Sequence, residues 1–278
     1  MSKVEELKRF VKCQITPCPS PSEILKLLPS SCENKNYKRF IIFGHQRCGS
    51  SVLTSGLKSS PDIKAFAEIF TSSHITFNYK DYDNHSIKLL KLRNTSPVRF
   101  LEEVIFTSQT PEIKAVGFKV FPEQLEKHDF KVIYNWIEEN PDVALIVLNR
   151  QNSLKTLCSI QIAKKTGVWG IKDTAKRTTL QISLSTAQCK AFFEKREYYA
   201  QLLRERFKGR ELLEISYETF AADIPKYFEQ VQRHIGIPPL QLPVNDVKKE
   251  VREVNDIISN YSQLKQEFKD TKWSKFFD

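Results

Sequence analysis

The chain has 278 residues, 40% of them hydrophobic, enough for one α/β domain with insertions or two small domains, either with a large core. Lys and Arg number 43 against 33 Asp and Glu, and the resulting charge of +10 favours polyanionic partners. There is no arginine-rich run or aromatic-basic repeat, which argues against nucleic acid, and the longest wholly apolar stretch, Val143 to Leu148, is far too short for a membrane span. Six cysteines without C-x-x-C spacing, and an N-terminus that opens on charged residues, fit a reduced, cytoplasmic protein.

In chain order, Val4, Leu7 and Val11 predict one side of a short amphipathic helix, and a Pro/Ser/Cys stretch runs from Thr16 to Ser22. Residues 1–36 are therefore expected to form an N-terminal extension and residues 37–278 the main domain. Phe40 to Phe43 predicts a strand buried on both faces, and Val52, Leu53 and Leu57 predict the apolar face of a helix. After a turn at Ser59 to Asp62, Ile63 to Phe70 is a second apolar stretch that carries one carboxylate, Glu68. Residues 71–98 hold no sustained period and predict an irregular insertion near the site, and Val98 to Phe106 predicts a helix.

Further on, strands are predicted at Ala115 to Phe121, Val143 to Leu148 and Glu211 to Ile215. Helices are predicted at Phe130 to Ile137, Leu154 to Ala163, Thr179 to Phe207 with Gly209 as a stop, and Ile224 to Ile235 ended by Gly236. Alternating strands and helices predict a P-loop-like, three-layer α/β fold: a central parallel sheet flanked by helices, with its ligand beyond the carboxyl ends of the strands.

The chemistry concentrates at two strand ends. Gly44-His45-Gln46-Arg47-Cys48-Gly49-Ser50-Ser51 matches G-x-x-x-x-G-K-[ST] at both glycines and at Ser51, but Ser50 stands where the lysine would be. The loop's cation is Arg47, so the site suits phosphate without requiring a triphosphate. An ordinary strand-to-helix turn is the plainer reading of the glycines alone. The strand Val143 to Leu148 ends in Asn149-Arg150, where a phosphate-hydrolysing enzyme would carry a magnesium-binding aspartate. A guanidinium there offers a planar fork to phosphate oxygens, and Ser159 on the following helix adds a hydroxyl. Singly, each is equally a surface arginine and a bland helix serine. Jointly they describe a metal-free site for two separate phosphate-type groups.

The segments FGHQRCGSS and LNRQNSLKTLCSIQIAKKTGVW resemble the two donor-binding elements of sulfotransferases that use 3′-phosphoadenosine 5′-phosphosulfate (PAPS), most closely the bacterial Stf0 and lipopolysaccharide-type branch. Leu212 to Gly236, with its Tyr217-Glu218 pair, and Ile258 to Tyr261 are similar to later segments of the same branch, so the resemblance spans about Phe40 to Tyr261. It implies that Arg47, Cys48, Gly49, Ser50 and Ser51 cradle the 5′-phosphosulfate, that Arg150 and Ser159 hold the 3′-phosphate, and that Tyr217 lies beside the adenine. It implies a glutamate base at Glu68, with Arg47 supplying fixed charge, no metal, and a small-molecule, sugar or glycolipid acceptor.

The chain departs from the cytosolic eukaryotic enzymes. It has no match to their glycine-rich basic C-terminal loop, for which Lys248, Lys249 and Arg252 are candidates, and no assignable catalytic histidine, for which His74 and His128 are substitutes. An apolar setting around Glu68 would raise its pKa. Lys119, ending the GFKVF strand, is expected to face the site, as a sulfuryl contact or a salt-bridged lysine. Cys48 and Cys158 are expected as small buried side chains, and Trp169 as packing at the rim. Tyr79, Tyr82, His74 and Phe77 in the insertion, and residues 167–185, are where the acceptor's shape would be read. A homodimer is the default assembly. Two other classes stay open: a P-loop kinase or GTPase, and a non-catalytic nucleotide or polyanion binder.

Overall fold

The computed structural model describes residues 8, 11–29, 34–168, 180–243 and 252–278. Val4, Leu7, Trp169, Lys248, Lys249 and most of the 167–185 segment lie outside them. Five strands form one all-parallel sheet: β1 (Lys38–Phe43), β2 (Ile63–Glu68), β3 (Ala115–Val120), β4 (Ala144–Asn149) and β5 (Leu212–Ser216), in the order β2-β3-β1-β4-β5. This is the predicted α/β architecture. Each strand is short and apolar because helices cover both faces of the sheet. Along β1, Phe40 and Ile42 enter one core with Leu53, Ile146 and Phe228, and Ile41 and Phe43 enter the other with Phe66, Phe118 and Phe207. Period-two alternation divides the strand between two cores. Gly117 of β3 is dictated by its neighbour, since a Cβ there would stand 2.3 Å from the Phe40 carbonyl.

The helices are α1 (Pro21–Leu27), α2 (Ser50–Lys58), α3 (Ile87–Thr95), α4 (Pro97–Phe100), α5 (Pro122–Leu125), α6 (Val132–Glu139), α7 (Ser153–Thr166), α8 (Thr186–Arg206), α9 (Tyr217–Ala222), α10 (Ile224–Ile235), α11 (Val254–Ile257) and α12 (Tyr261–Phe268). Among the predicted segments, two differ from the sequence reading by more than a helical turn. Ile87–Thr95 is helical, started by the Ser86 hydroxyl, which accepts from Leu89 N, so the 71–98 insertion is irregular only in its first half. The long helix begins at Thr186, capped by Ser185; before it, Ile182 bridges to Ile258 as isolated strand-like pairing that helical periodicity does not reveal. Gly236 ends α10 at φ 88°, as expected.

β1 is where the strand order reverses: the chain builds β2 and β3 on one side of it, β4 and β5 on the other. In open parallel sheets the crevice beyond the carboxyl ends at that reversal is the ligand site. The loop after β1 and the turn after β4 both open there.

Candidate functional site

The loop between β1 and α2 is held by its own residues. Gly49 caps α2 at φ 87°, a conformation open to glycine, and a Cβ would meet the Tyr217 ring at 2.8 Å. Arg47 also adopts positive φ, 66°. Cys48, fully buried, donates its amide to the His45 carbonyl at 3.3 Å and receives the His45 amide on Sγ, also at 3.3 Å. Cys48 is thus packing, as read from the sequence. Ser50 and Ser51 open α2, whose first amides have no partner within the helix and point along its positive end into the crevice.

Arg47 leaves this loop sideways: its Nε donates to Ser159 Oγ at 2.9 Å. A hydroxyl that accepts this bond keeps its own proton to donate. The structure therefore puts Arg47 between the two halves of the predicted site rather than wholly at the 5′ end. Ser159 is presented by α7, which starts at Asn152 with its side chain capping Lys155 N.

Arg150 sits where β4 ends. Its Nη1 donates to the Arg47 carbonyl at 3.4 Å, its guanidinium lies 4.8 Å from the Tyr217 ring centroid, and its Nε is buried without a hydrogen-bond partner. The Tyr217-Glu218 pair therefore braces this strand end. Tyr217 stacks on Arg150, and the Glu218 carboxylate accepts the Gln151 amide at 3.1 Å. Arg150, Lys155, Cys158, Ser159, Arg252 and Glu253 line a cleft at this point, in which Lys155 pairs with Glu253 at 3.3 Å. Arg252, considered for the basic tail, therefore belongs to the same cleft.

Sequence reasoning missed Arg196. It is 9% exposed on α8, and its Nη2 donates to the Arg150 carbonyl at 3.2 Å. Burial lowers its pKa, against the pull of nearby Cys48 and Glu123. In AFFEKREYYAQ it is one charge among many, and only the helix packing singles it out.

On the other side of the loop, a register shift between Phe66 and Glu68 leaves Ala67 unpaired and sets Glu68 opposite Lys119. Such bulges re-aim side chains. Glu68 Oε1 pairs with Lys119 Nζ at 2.9 Å, Gln124 donates to Oε2 at 3.1 Å, and Lys119 Nζ also donates to Ser51 Oγ at 3.0 Å. Lys119, 3% exposed, thus links Glu68 to the anion loop. The apolar setting expected around Glu68 is corrected: a cation and an amide hold its carboxylate, because β2 and β3 bring Lys119 alongside. Fully buried Arg93 fixes the chain after Glu68, donating to the carbonyls of Ile69 at 3.0 Å and His74 at 2.8 Å. Its isolation from water moves its pKa down to about 10.

The insertion's aromatics face elsewhere. Phe77 is fully buried and Tyr82 5% exposed, both packed with Phe66, and Tyr79 accepts the Ala65 amide at 2.9 Å in the half of β2 away from Glu68. The aromatic character that suggested acceptor recognition serves the core. His74 lies beside Ser73 and His85, and His128 is in the 3₁₀ turn His128–Lys131.

A parallel sheet with a glycine-bounded loop opening a helix at its reversal point, and basic side chains at the next strand end, is a P-loop-like architecture. The chain is similar to Nodulation protein H of Rhizobium tropici, 23% identical over 246 residues, covering 86% of this chain and 92% of that one. It also overlaps the crystal structure of sulfotransferase STF9 from Mycobacterium avium with a TM-score of 0.39 and 13% identity, over 78% of this chain and 66% of that one, too loosely to carry an argument. No protein-family model matches the chain. The kinship over nearly the whole length and the motifs agree: the chain resembles sulfotransferases and is an enzyme of the transferase class. Among the described residues no helix is long and apolar enough to cross a membrane, and no three His, Cys, Asp or Glu side chains cluster as a metal site.

Proposed function

We propose that the enzyme moves the sulfuryl group of PAPS to a hydroxyl of a carbohydrate, glycolipid or other small acceptor. The observation that carries this is the join between the two anion elements: Arg47 reaches Ser159, and Arg150 reaches the Arg47 carbonyl, so one continuous basic surface serves two phosphates. The buried, unpartnered Nε of Arg150 fits such a donor, because a buried guanidinium N–H left without an acceptor is costly and an anion in the cleft would supply one.

When bound, PAPS would supply an activated sulfuryl group with adenosine 3′,5′-bisphosphate as leaving group. Arg150, Ser159 and Arg252 would hold the 3′-phosphate, and Tyr217 would flank the nucleoside. The amides of Gly49, Ser50 and Ser51, the Ser51 hydroxyl and the Arg47 guanidinium would hold the 5′ end and face the charge that develops on the oxygens around sulfur. Glu68 receives the acceptor's proton; Lys119 and Gln124 orient its carboxylate toward the loop. Lys119, between Glu68 and Ser51, keeps base and sulfuryl site in register. The acceptor would approach over the carboxyl ends of β2 and β3, where Glu68 lies.

Calorimetric titration without magnesium, comparing adenosine 3′,5′-bisphosphate, AMP and ATP, tests this reading. The bisphosphate should bind best, and Arg150→Ala should erase its advantage over AMP, a loss of about 10- to 100-fold for a charged hydrogen-bonding group. A requirement for magnesium with ATP would move the chain to the kinases.

A further inference from the structure

His45 is the second residue of the anion loop, yet its side chain takes no part in the functions assigned so far. The residue is 5% exposed, and its Nδ1 stands 3.3 Å from Glu123 Oε2. Glu123 lies in α5, directly after β3, so the contact ties the loop that follows the central strand to the end of the neighbouring strand. Glu123 Oε2 is buried and has no aligned hydrogen-bond donor, which leaves the imidazole as the group that faces it. A buried carboxylate oxygen set against a buried ring nitrogen needs that proton.

The pair has a counterpart. Arg47 holds the loop to α7 on the β4 side through Ser159, and His45 holds it to α5 on the β3 side. Both attachments lie just before Gly49, Ser50 and Ser51, the residues whose amides face the crevice. The β4-side attachment is made by a side chain that is itself a ligand group, so an incoming anion competes for it. The β3-side attachment is made by a buried ring and can persist through binding. From this arrangement we infer that the His45–Glu123 pair is a positioning element for the 5′ half of the donor site, keeping the loop amides aimed while Arg47 exchanges Ser159 for the ligand.

The inference rests on the reading of the loop as the 5′-phosphosulfate site. The groups that face the imidazole are Glu123 of α5 and Arg196, Lys195 and Tyr199 of α8; the Cys48 sulfur accepts from the His45 backbone amide. Burial dominates and lowers the His45 pKa, with Arg196 and Lys195 acting in the same direction and Glu123 opposing them. The ring is then neutral at pH 7, one nitrogen carrying a proton that Glu123 can accept.

The test compares wild type, His45→Phe, His45→Asn and Glu123→Gln by calorimetry with AMP and with adenosine 3′,5′-bisphosphate, melting temperatures being recorded alongside. Phenylalanine keeps the ring's bulk without the donor; asparagine offers an amide N–H near the position of Nδ1. His45→Phe should weaken both ligands by a similar factor, about tenfold, so that the ratio between them stays at its wild-type value. His45→Asn should recover most of the affinity, and Glu123→Gln, whose amide oxygen still accepts from the ring, should keep most of it. Unchanged AMP binding in a folded His45→Phe, or selective loss of the bisphosphate, would overturn the inference. So would an affinity loss that follows melting temperature across all variants without rescue by asparagine. A wild type that binds AMP and the bisphosphate equally would instead count against the two-phosphate reading, and the AMP arm would still decide the role of His45.

Discussion

The 5′ and 3′ halves of the proposed donor site are built in opposite ways. Around Glu68 the side chains already have partners: Lys119 spans Glu68 and Ser51, and Gln124 completes Glu68. At the 3′ half Arg150 leaves a buried N–H unpaired in an open cleft, and Lys155 is occupied by Glu253, a carboxylate that stands where an anion would go. One half is organised in advance, and the other is completed by its ligand. Preorganised charge is what stabilises a transition state, whereas a site that gains partners only on binding contributes affinity and selectivity.

Substitutions should separate these roles. The largest effect is expected from Glu68→Gln, which keeps the Lys119 and Gln124 neighbours but cannot take a proton: turnover in a sulfuryl-transfer assay should fall about 10²- to 10⁴-fold with bisphosphate affinity unchanged. If affinity falls instead, Glu68 belongs to binding and the comparison fails. Arg93→Met removes the donor that two buried carbonyls share beside Glu68, and chemical denaturation should show a loss of about 2–5 kcal/mol. On the 3′ side, Ser159→Ala should cost the bisphosphate about tenfold and AMP little, read by the same calorimetry; equal losses for both would show that Ser159 acts through Arg47.

The smallest effect concerns pH. His45 has a folded pKa below the ordinary histidine value of 6.5, so the folded state binds fewer protons than the unfolded chain below that pH. Its contribution to stability is full above pH 6.5 and declines as the pH falls from there toward the folded pKa. Melting temperature should drop across that range in wild type and drop less in His45→Asn; identical slopes would exclude His45 as the source.

The loop, Arg150 and Glu68 stand out in the sequence as candidates because each sits near the end of an apolar run, where strand ends and a glycine-bounded turn are marked; Ser159 lies inside the helix that follows. Their partners do not stand out. Nothing local joins His45 to Glu123 or Glu68 to Lys119; those contacts exist because the sheet places β3 between β1 and β2 and because one bulge re-aims Glu68. Arg93 and Arg196 were hidden for another reason: on helices rich in charge, a buried arginine looks like its exposed neighbours until the packing is known. The insertion's aromatics misled in the converse sense, since Phe77 and Tyr82 fit a sugar platform by composition and a core by position.

The attachment of α7 to the C-terminal segment sets an order of assembly. Asn152, which caps α7, donates to the Phe276 carbonyl at 3.1 Å across 124 residues, and Leu154, Leu157 and Cys158 share a core with Leu264, Phe268, Trp273 and Phe277. During synthesis at about 5–20 residues per second, the helix that carries Ser159 waits roughly 6 to 25 s for those partners. The core beneath the loop after β1, which draws on residues up to Leu242, would thus be complete in the nascent chain before the core beneath α7, which needs Phe277.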